Sequence, residues 1–265
     1  RSRNPKDIVI EIQGLVAEGC KEITLLGQNV NSYGKGLTPQ VDFSDLLQQV
    51  NAVEGIQRIR FMSSHPRDVS EKLIRTFATC EHVCPHFHLP MQSGSSRILQ
   101  LMNRGYTKEQ YVALAESIRY AVPKVAFTTD IIVGFPGETE QDFEDTLDVV
   151  RAVRFDSAYT FIYSQRSGTP AADMAEQVPY AVKQERIQRL MDLQAEISLQ
   201  LNQGYEGQTV EILVESVSKQ DSGMLTGRTG GNKLVHFAAD PQWIGKLVRV
   251  RIEKASSWHL TGVLE

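Results

Sequence analysis

Ala126-Phe127-Thr128-Thr129-Asp130-Ile131-Ile132-Val133 runs directly into Gly134-Phe135-Pro136-Gly137-Glu138. A β-branched apolar run broken by two glycines and a proline reads as a strand ending in a tight turn. Thr139, with Asp142 three residues on, then marks the start of a helix. The unit is strand, polar loop, helix. It recurs on both sides: Glu22 to Leu26 into Gln28-Asn29-Val30-Asn31-Ser32-Tyr33-Gly34, Ile59 to Met62 into Ser63-Ser64-His65-Pro66, His86 to Leu89 into Pro90-Met91-Gln92-Ser93-Gly94, and Ser157 to Tyr163 into Ser164-Gln165-Arg166-Ser167-Gly168. Repeats at roughly 30 to 40 residues predict parallel strands joined by right-handed crossovers, with ligands at the carboxyl ends of the strands.

Helices fill the intervals. Asn4 is placed to cap a first helix with Pro5 at its first position and Ile8, Ile12, Leu15 and Val16 on one face, and Thr107 with Gln110 caps a later one. A long amphipathic helix is expected from about Val182 to Leu201. Beyond Gln208 the pattern turns to short alternating strands separated by glycine turns, which predicts a small β-barrel. The expected division is therefore residues 1–203, an α/β domain ending in the long helix, and residues 204–265, an all-β domain.

With 265 residues, 41% hydrophobic and 23% charged, the chain has enough apolar material for one large core and one small one. It contains no apolar run near the roughly 18 residues of a membrane span and no hydrophobic signal region at its start, so a cytoplasmic protein without a membrane partner is expected. A net charge of −4 excludes general affinity for polyanions and leaves any nucleic acid to a local patch. Cys20, Cys80 and Cys84 are odd in number and lack disulfide spacing, which fits a reducing compartment.

The loops offer chemistry of several kinds. Gly134 to Glu138 lets backbone approach a flat ligand closely, or is an ordinary turn without the G-x-G-x-x-G fingerprint. Gln28, Asn29, Gln92, Ser93 and Ser95 supply neutral donors and acceptors suited to a ribose, an amino-acid group or an adenine edge, or cap their own loops. Asp130 lies in an otherwise apolar strand, so its carboxylate meets a ribose diol, a ligand ammonium or a buried ion-pair partner. Cys80, His82 and Cys84 with His86 and His88 do not complete a zinc site. The turn Gly227-Arg228-Thr229-Gly230-Gly231-Asn232-Lys233 could grip phosphates and a base edge, or be a solvated hairpin; from Asn202 onward seven basic residues face seven acidic ones.

Taken in order, Gly27 to Gly34, Ser63 to Pro66, His88 to Ser95, Thr129 to Thr139 and Gly168-Thr169-Pro170-Ala171 resemble the radical S-adenosylmethionine (SAM) domain of MiaB-type tRNA methylthiotransferases. The tail resembles that family's RNA-binding TRAM domain, with Gly227-Arg228-Thr229 and Asn232 in matching places. The resemblance covers essentially the whole chain. It implies an α/β fold, a partial (βα) radical SAM barrel missing its first strand, followed by a small all-β TRAM barrel. The implied reaction places a methylthio group on C2 of N(6)-isopentenyladenosine next to the anticodon, with one SAM giving the methyl group and another a hydrogen-abstracting radical. The Gln28-to-Gly34 loop favours this over a relative that modifies a ribosomal protein, and a non-catalytic tRNA-binding fragment is the other alternative.

Carried over by position, Gln28 and Asn29 are expected at the methionine part of SAM, Gln92, Ser93 and Asp130 at its polar and ribose groups, and the Ile132-Val133-Gly134 backbone at adenine. Ser64 joins this cofactor-binding set, and Arg166 is expected to meet a carboxylate or phosphate. Arg228, Thr229, Asn232 and Lys233 are expected to bind RNA. No catalytic side chain is assigned. The family holds its radical cluster with a Cys-x-x-x-Cys-x-x-Cys loop, expected upstream of Arg1, and a second 4Fe-4S cluster in a further domain. Neither set of ligands is expected among these residues, so the chain alone is expected to be inactive. The implied partners are a tRNA anticodon stem-loop and an electron donor such as a flavodoxin-type protein.

Overall fold

Asn4 caps the first helix as read: its side chain accepts from the Lys6 N–H at 2.9 Å, with Pro5 at the first position of α1 (Pro5–Ala17). The computed structural model describes residues 2–62, 64–219, 221 and 223–265, so Arg1 and Ser63 of the second loop lie outside the described residues. After α1 come β1 (Glu22–Leu25), α2 (Phe43–Asn51), β2 (Arg58–Phe61), α3 (Glu71–Thr79) and β3 (His86–His88). Then follow α4 (Ser96–Leu101), α5 (Lys108–Ala121), β4 (Ala126–Val133), α6 (Glu140–Val153), β5 (Ser157–Ile162) and the long α7 (Tyr180–Gln203).

The five strands are parallel neighbours, but the ladder is not continuous. β1 pairs with β2, and β3, β4 and β5 form a second group. Among the described residues one isolated bridge, Ile59 to Val83 just ahead of β3, links them, with the Ile59 N–H donating to His82 O at 2.7 Å and the Cys84 N–H to Ile59 O at 2.9 Å. The ladder stops there because the His86 N–H, next in line to face β2, turns back to Cys84 O at 2.7 Å. Alternation sets the two faces. Ile59, Phe61, Phe87 and Phe127 are fully buried toward the helices, where Phe61 meets the edges of Phe43, Phe77 and Phe87 at centroid distances of 5.3, 5.9 and 5.2 Å. Arg58, Arg60, His86, His88, Thr128 and Asp130 occupy the alternate positions, on the opposite face of the sheet.

Close helix packing brings the loops to one end. A Cβ on Gly94 would lie 2.4 Å from Thr146 Cα and 2.6 Å from Asp145 O, so only glycine lets the α4 entry touch the α6 backbone. Beside it, Asp142 accepts from Ser95 Oγ at 2.6 Å, from the Thr139 N–H at 2.8 Å and from Arg97. Burial opposes ionisation of Asp142, but the bonds from Arg97, Ser95 and Thr139 outweigh it and hold the carboxyl well below the usual range. A carboxylate so depressed stabilises the fold above its unfolded pKa of about 3.9 and loses that contribution as pH falls. Asp142→Asn is therefore expected to cost about 2 kcal/mol or more at pH 7 in urea denaturation, with the gap to the native protein closing below about pH 4. A gap independent of pH would contradict this account of Asp142.

The C-terminal strands are β6 (Thr209–Val217), β7 (Met224–Thr229), β8 (Leu234–Ala238), β9 (Leu247–Ala255) and β10 (Leu260–Leu264). They close into a barrel in the order β10-β8-β7-β6-β9 around Ile212, Leu225, Phe237, Val250, Ile252 and Leu260. The β7–β8 turn is docked on the α/β unit. Arg58 donates to Arg228 O at 2.8 Å and Glu211 O at 3.1 Å, and Arg60 donates to Gly230 O and Thr229 O, both at 2.8 Å. Glu22 holds Arg60 Nε at 2.9 Å, and Lys233 Nζ lies 2.7 Å from Asp156 Oδ1. Helix α7 ties both parts together: Ser198 Oγ donates to Asp156 O at 3.0 Å and Asn202 Nδ2 to Ser256 O at 2.7 Å. Among the described residues no helix is long and apolar enough to cross a membrane.

Candidate functional site

At the carboxyl end of β3, the chain does not leave the sheet at once. The Gln92 N–H donates to Asp130 O at 2.8 Å and Gln92 O accepts from the Ile132 N–H at 2.9 Å, which holds Gln92 at φ +69. A left-handed non-glycine residue persists only where its surroundings impose it. Here they do. Thr129 Oγ1 accepts from the Met91 N–H at 2.8 Å and donates to Leu89 O at 2.9 Å, while the Tyr111 hydroxyl donates to Leu89 O at 2.6 Å and the Tyr106 hydroxyl to Met91 O at 3.0 Å. Ser93 is buried, its Oγ accepting from the Ser95 N–H at 3.2 Å. Gln92, Ser93, Asp130, Ile132, Val133 and Gly134 are thereby brought to one mouth.

The next turn forms its floor. The Gly134 N–H donates to Glu138 Oε1 at 2.9 Å, and the same oxygen takes Arg186 of α7 at 2.9 Å. Burial pushes the Glu138 carboxyl up, against the opposing pull of the Gly134 N–H and Arg186. Gly134 has φ +72, and a Cβ there would sit 2.4 Å from Lys183 Cγ, so only glycine lets the Lys183 stem of α7 pack this closely on the turn. Lys183 is buried, its ammonium donating to Tyr163 O at 3.2 Å, and burial lowers its pKa.

A second group lies after β1 and β2. Asn29 Nδ2 donates to Asp68 Oδ2 at 2.6 Å and to Ser32 Oγ at 3.0 Å, while Gln28 is exposed. Burial works against the Asp68 charge, but the Asn29 bond and Arg67 prevail and lower its pKa. Gln28 and Asn29 line a groove of about 830 Å³ along β1 and α1. Ser64 Oγ and Asn29 Oδ1 are buried polar atoms without a hydrogen-bond partner. No hydrogen bond among the described residues joins this group to Gln92 or Asp130. Arg166 is exposed after β5, its carbonyl accepting from Thr169 Oγ1 at 2.8 Å, and it makes no ion pair with either group.

The carboxyl ends of β3 and β4 thus gather a carboxylate, an amide, a hydroxyl and a glycine turn. Asp130 is partly buried at 30% side-chain exposure, which leaves a carboxylate reachable by a diol. The Gly134 turn is packed under Lys183, and Ser64 Oγ and Asn29 Oδ1 are buried polar atoms whose hydrogen-bonding capacity is unmet among the described residues. An iron–sulfur cluster does not fit this chain's residues: Cys20 is half-buried, Cys80 and Cys84 are buried, and no group of His, Cys, Asp or Glu among the described residues is arranged to hold a metal ion.

Sequence reasoning passed over Tyr159 and Phe161. Their neighbours Ala158 and Ile162 pack on the core, whereas these two rings are each 51% exposed and stand in register with Asp130 and Ile132. Period-two alternation in β5 carries that signal. The β7–β8 turn has a use the sequence did not show. Thr229 and Lys233 are buried at the junction, so they are closed to a ligand in this arrangement. Arg228 and Asn232 are partly exposed, with Arg228 NH1 donating to Asn232 O at 3.1 Å and its Nε 3.3 Å from Glu215.

Residues 1–150 match the family model of the Radical SAM superfamily, and residues 203–264 that of the TRAM domain. The chain is 56% identical over 262 residues to the tRNA-2-methylthio-N(6)-dimethylallyladenosine synthase of Acetivibrio thermocellus, covering 99% of this chain and 55% of that protein. The synthase of the same name from Alkaliphilus oremlandii is 57% identical, with 99% and 56% covered, and that from Carboxydothermus hydrogenoformans 56%, with 100% and 60% covered. The chain thus spans little more than half the length of the curated relatives it matches. Among solved structures, coproporphyrinogen III oxidase from Escherichia coli, a radical SAM enzyme, aligns with a TM-score of 0.52 at 12% identity, over 95% of this chain and 60% of that one. At that identity the likeness is one of fold.

Proposed function

Because this chain belongs to the radical SAM superfamily, we propose that the protein containing it is a tRNA methylthiotransferase, which installs a methylthio group on C2 of N(6)-isopentenyladenosine next to the anticodon. The observation that supports the reading is a sequence that relatives named for this activity match over 99% of its length, in which polar groups at the strand ends are joined to a docked TRAM barrel.

SAM and two 4Fe-4S clusters, whose ligands we assign to parts of the protein other than these residues, supply the one-electron chemistry and the sulfur when bound. The present residues bind and orient. Asp130 accepts from the ribose hydroxyls, Gln92 and Ser93 meet neighbouring polar groups, and the Ile132-Val133-Gly134 backbone receives the adenine. Gln28, Asn29 and Ser64 take the methionine part, and Arg166 a carboxylate or phosphate. Tyr159 and Phe161, half-exposed beside Asp130, offer ring faces to the target base. The TRAM barrel meets the anticodon stem-loop through Arg228, Asn232 and its exposed strands. A flavodoxin-type protein serves as electron donor, and the protein works where tRNA is, in the cytoplasm.

Asp130→Ala is expected to weaken SAM binding by about tenfold or more, the worth of one charge-assisted hydrogen bond. Unchanged affinity would remove Asp130 from the mouth. The function itself is tested by digesting bulk tRNA from cells lacking the gene. The methylthio group should vanish from isopentenylated adenosine and return on complementation; its persistence would refute the assignment.

A further inference from the structure

Behind Asp130 a buried run of side chains crosses β3 and β4. His86 Nε2 lies 3.0 Å and His88 Nδ1 2.9 Å from the same hydroxyl, Thr128 Oγ1, and His88 Nε2 lies 3.6 Å from Asp130 Oδ2. His86 Nδ1 is buried and has no partner. Both histidines and Thr128 are buried, with exposures of 3%, 6% and 6%. The ring of Tyr159 stands edge-on to His88 at 6.1 Å, confining it from the open side.

With both rings neutral, His86 being held down to about 3 by burial and by nearby Arg60, two arrangements pass the one hydroxyl proton between them. In the first, His88 Nδ1–H donates to Thr128 and Thr128 donates to His86 Nε2. That puts an N–H on the partnerless His86 Nδ1 and turns the bare lone pair of a neutral His88 Nε2 toward the Asp130 carboxylate. Both are unfavourable: a buried N–H without an acceptor is the rarer orphan, and two acceptors would face each other. In the second, His86 Nε2–H donates to Thr128 Oγ1 and Thr128 donates to His88 Nδ1. His88 then carries its proton on Nε2, directed at Asp130, and the only orphan is an acceptor. Of these two, the second leaves the milder orphan and turns a donor toward Asp130.

We infer that His88 is a positioning residue for the mouth: locked by Thr128 and His86 as the Nε2–H tautomer, it steers one Asp130 oxygen and leaves the other for a ribose hydroxyl. This rests on the reading of Asp130 as a ribose-binding group. At 3.6 Å the contact is electrostatic rather than a hydrogen bond. Thr128 and His86, which reach no ligand, thereby specify a proton position at the mouth.

The test combines ¹⁵N NMR of the histidine-labelled full chain with titration of S-adenosylhomocysteine. The native protein should show His88 protonated at Nε2, and Thr128→Val should abolish that preference. His88→Ala should weaken S-adenosylhomocysteine binding about 5-fold, and His88→Gln, whose amide N–H replaces the Nε2 donor, should restore most of it. A native His88 protonated at Nδ1 overturns the proposal even if every variant misfolds. So does a His88→Ala protein that binds normally while Asp130→Ala binds weakly. Normal binding by Asp130→Ala instead overturns the underlying reading of the mouth, whatever the His88 tautomer.

Discussion

Arg186→Met will destabilise the protein by about 3–5 kcal/mol, the cost of leaving a buried charge without its partner. Arg186 is only 5% exposed in its side chain and Glu138 only 1%, and they meet at 2.9 Å. The guanidinium also donates to Glu138 O at 3.1 Å and to Glu140 Oε2 at 3.3 Å. Removing it leaves Glu138 bonded only to the Gly134 N–H, in surroundings whose burial already pushes its pKa up. A raised carboxyl pKa favours the folded state at low pH and withdraws that support as pH rises through the folded value. The deficit of Arg186→Met should therefore be smallest near pH 4 and grow toward neutrality. The double variant Glu138→Gln with Arg186→Met, which removes both charges, should recover much of the loss. Chemical denaturation across pH checks both statements, and a double variant as unstable as the single one would contradict them. Because the same carboxylate fixes the Gly134 N–H, the single variant also disturbs the surface proposed for adenine.

Arg60→Ala will uncouple the two domains. Its guanidinium, 7% exposed, spans two carbonyls of the β7–β8 turn and Glu22 of β1. Its loss strands the Gly230 carbonyl at about 1–3 kcal/mol, leaves Thr229 O with only the Asn232 N–H, and leaves Glu22 facing the gap. The expected calorimetric trace changes from one cooperative transition in the native chain to two in Arg60→Ala, with the lower shifted down by several degrees. A single transition at the native temperature would show that the turn is held by other contacts. The test bears on function because the junction sets where the TRAM barrel stands relative to the mouth.

Much of this architecture was legible where local chemistry decides. Asn4, Thr107 and Thr139 cap helices as their side chains and spacing demand, and the alternating segments after Gln208 close a barrel. Long-range pairing was not. Arg58 and Arg60 read as ordinary strand residues, because the carbonyls they bind lie about 170 positions away. The same blindness left the Gly227-to-Lys233 turn open between RNA contact and solvated hairpin, when most of it packs against the α/β unit. Lys183 and Arg186 fall on a helix whose polar positions suggest solvent, and only Tyr163 O and Glu138 across the space reveal why they are buried. The gap between β2 and β3 was not legible either, because it comes from the His86 N–H bonding back to Cys84 O. For Asp130 the sequence left a ligand and an ion-pair partner as alternatives, and the structure gives it a histidine behind and exposure in front.

The most direct measurement takes the protein in the full length its gene encodes, loads it anaerobically with iron and sulfide, and supplies SAM, a reductant and tRNA bearing isopentenyladenosine. Mass spectrometry of the digested tRNA should show the methylthio derivative of that nucleoside in the native protein and a severe loss in Asp130→Ala. Cleavage of SAM with the tRNA unmodified would contradict the account, leaving the fold and mouth in place but turning the search for a substrate toward protein.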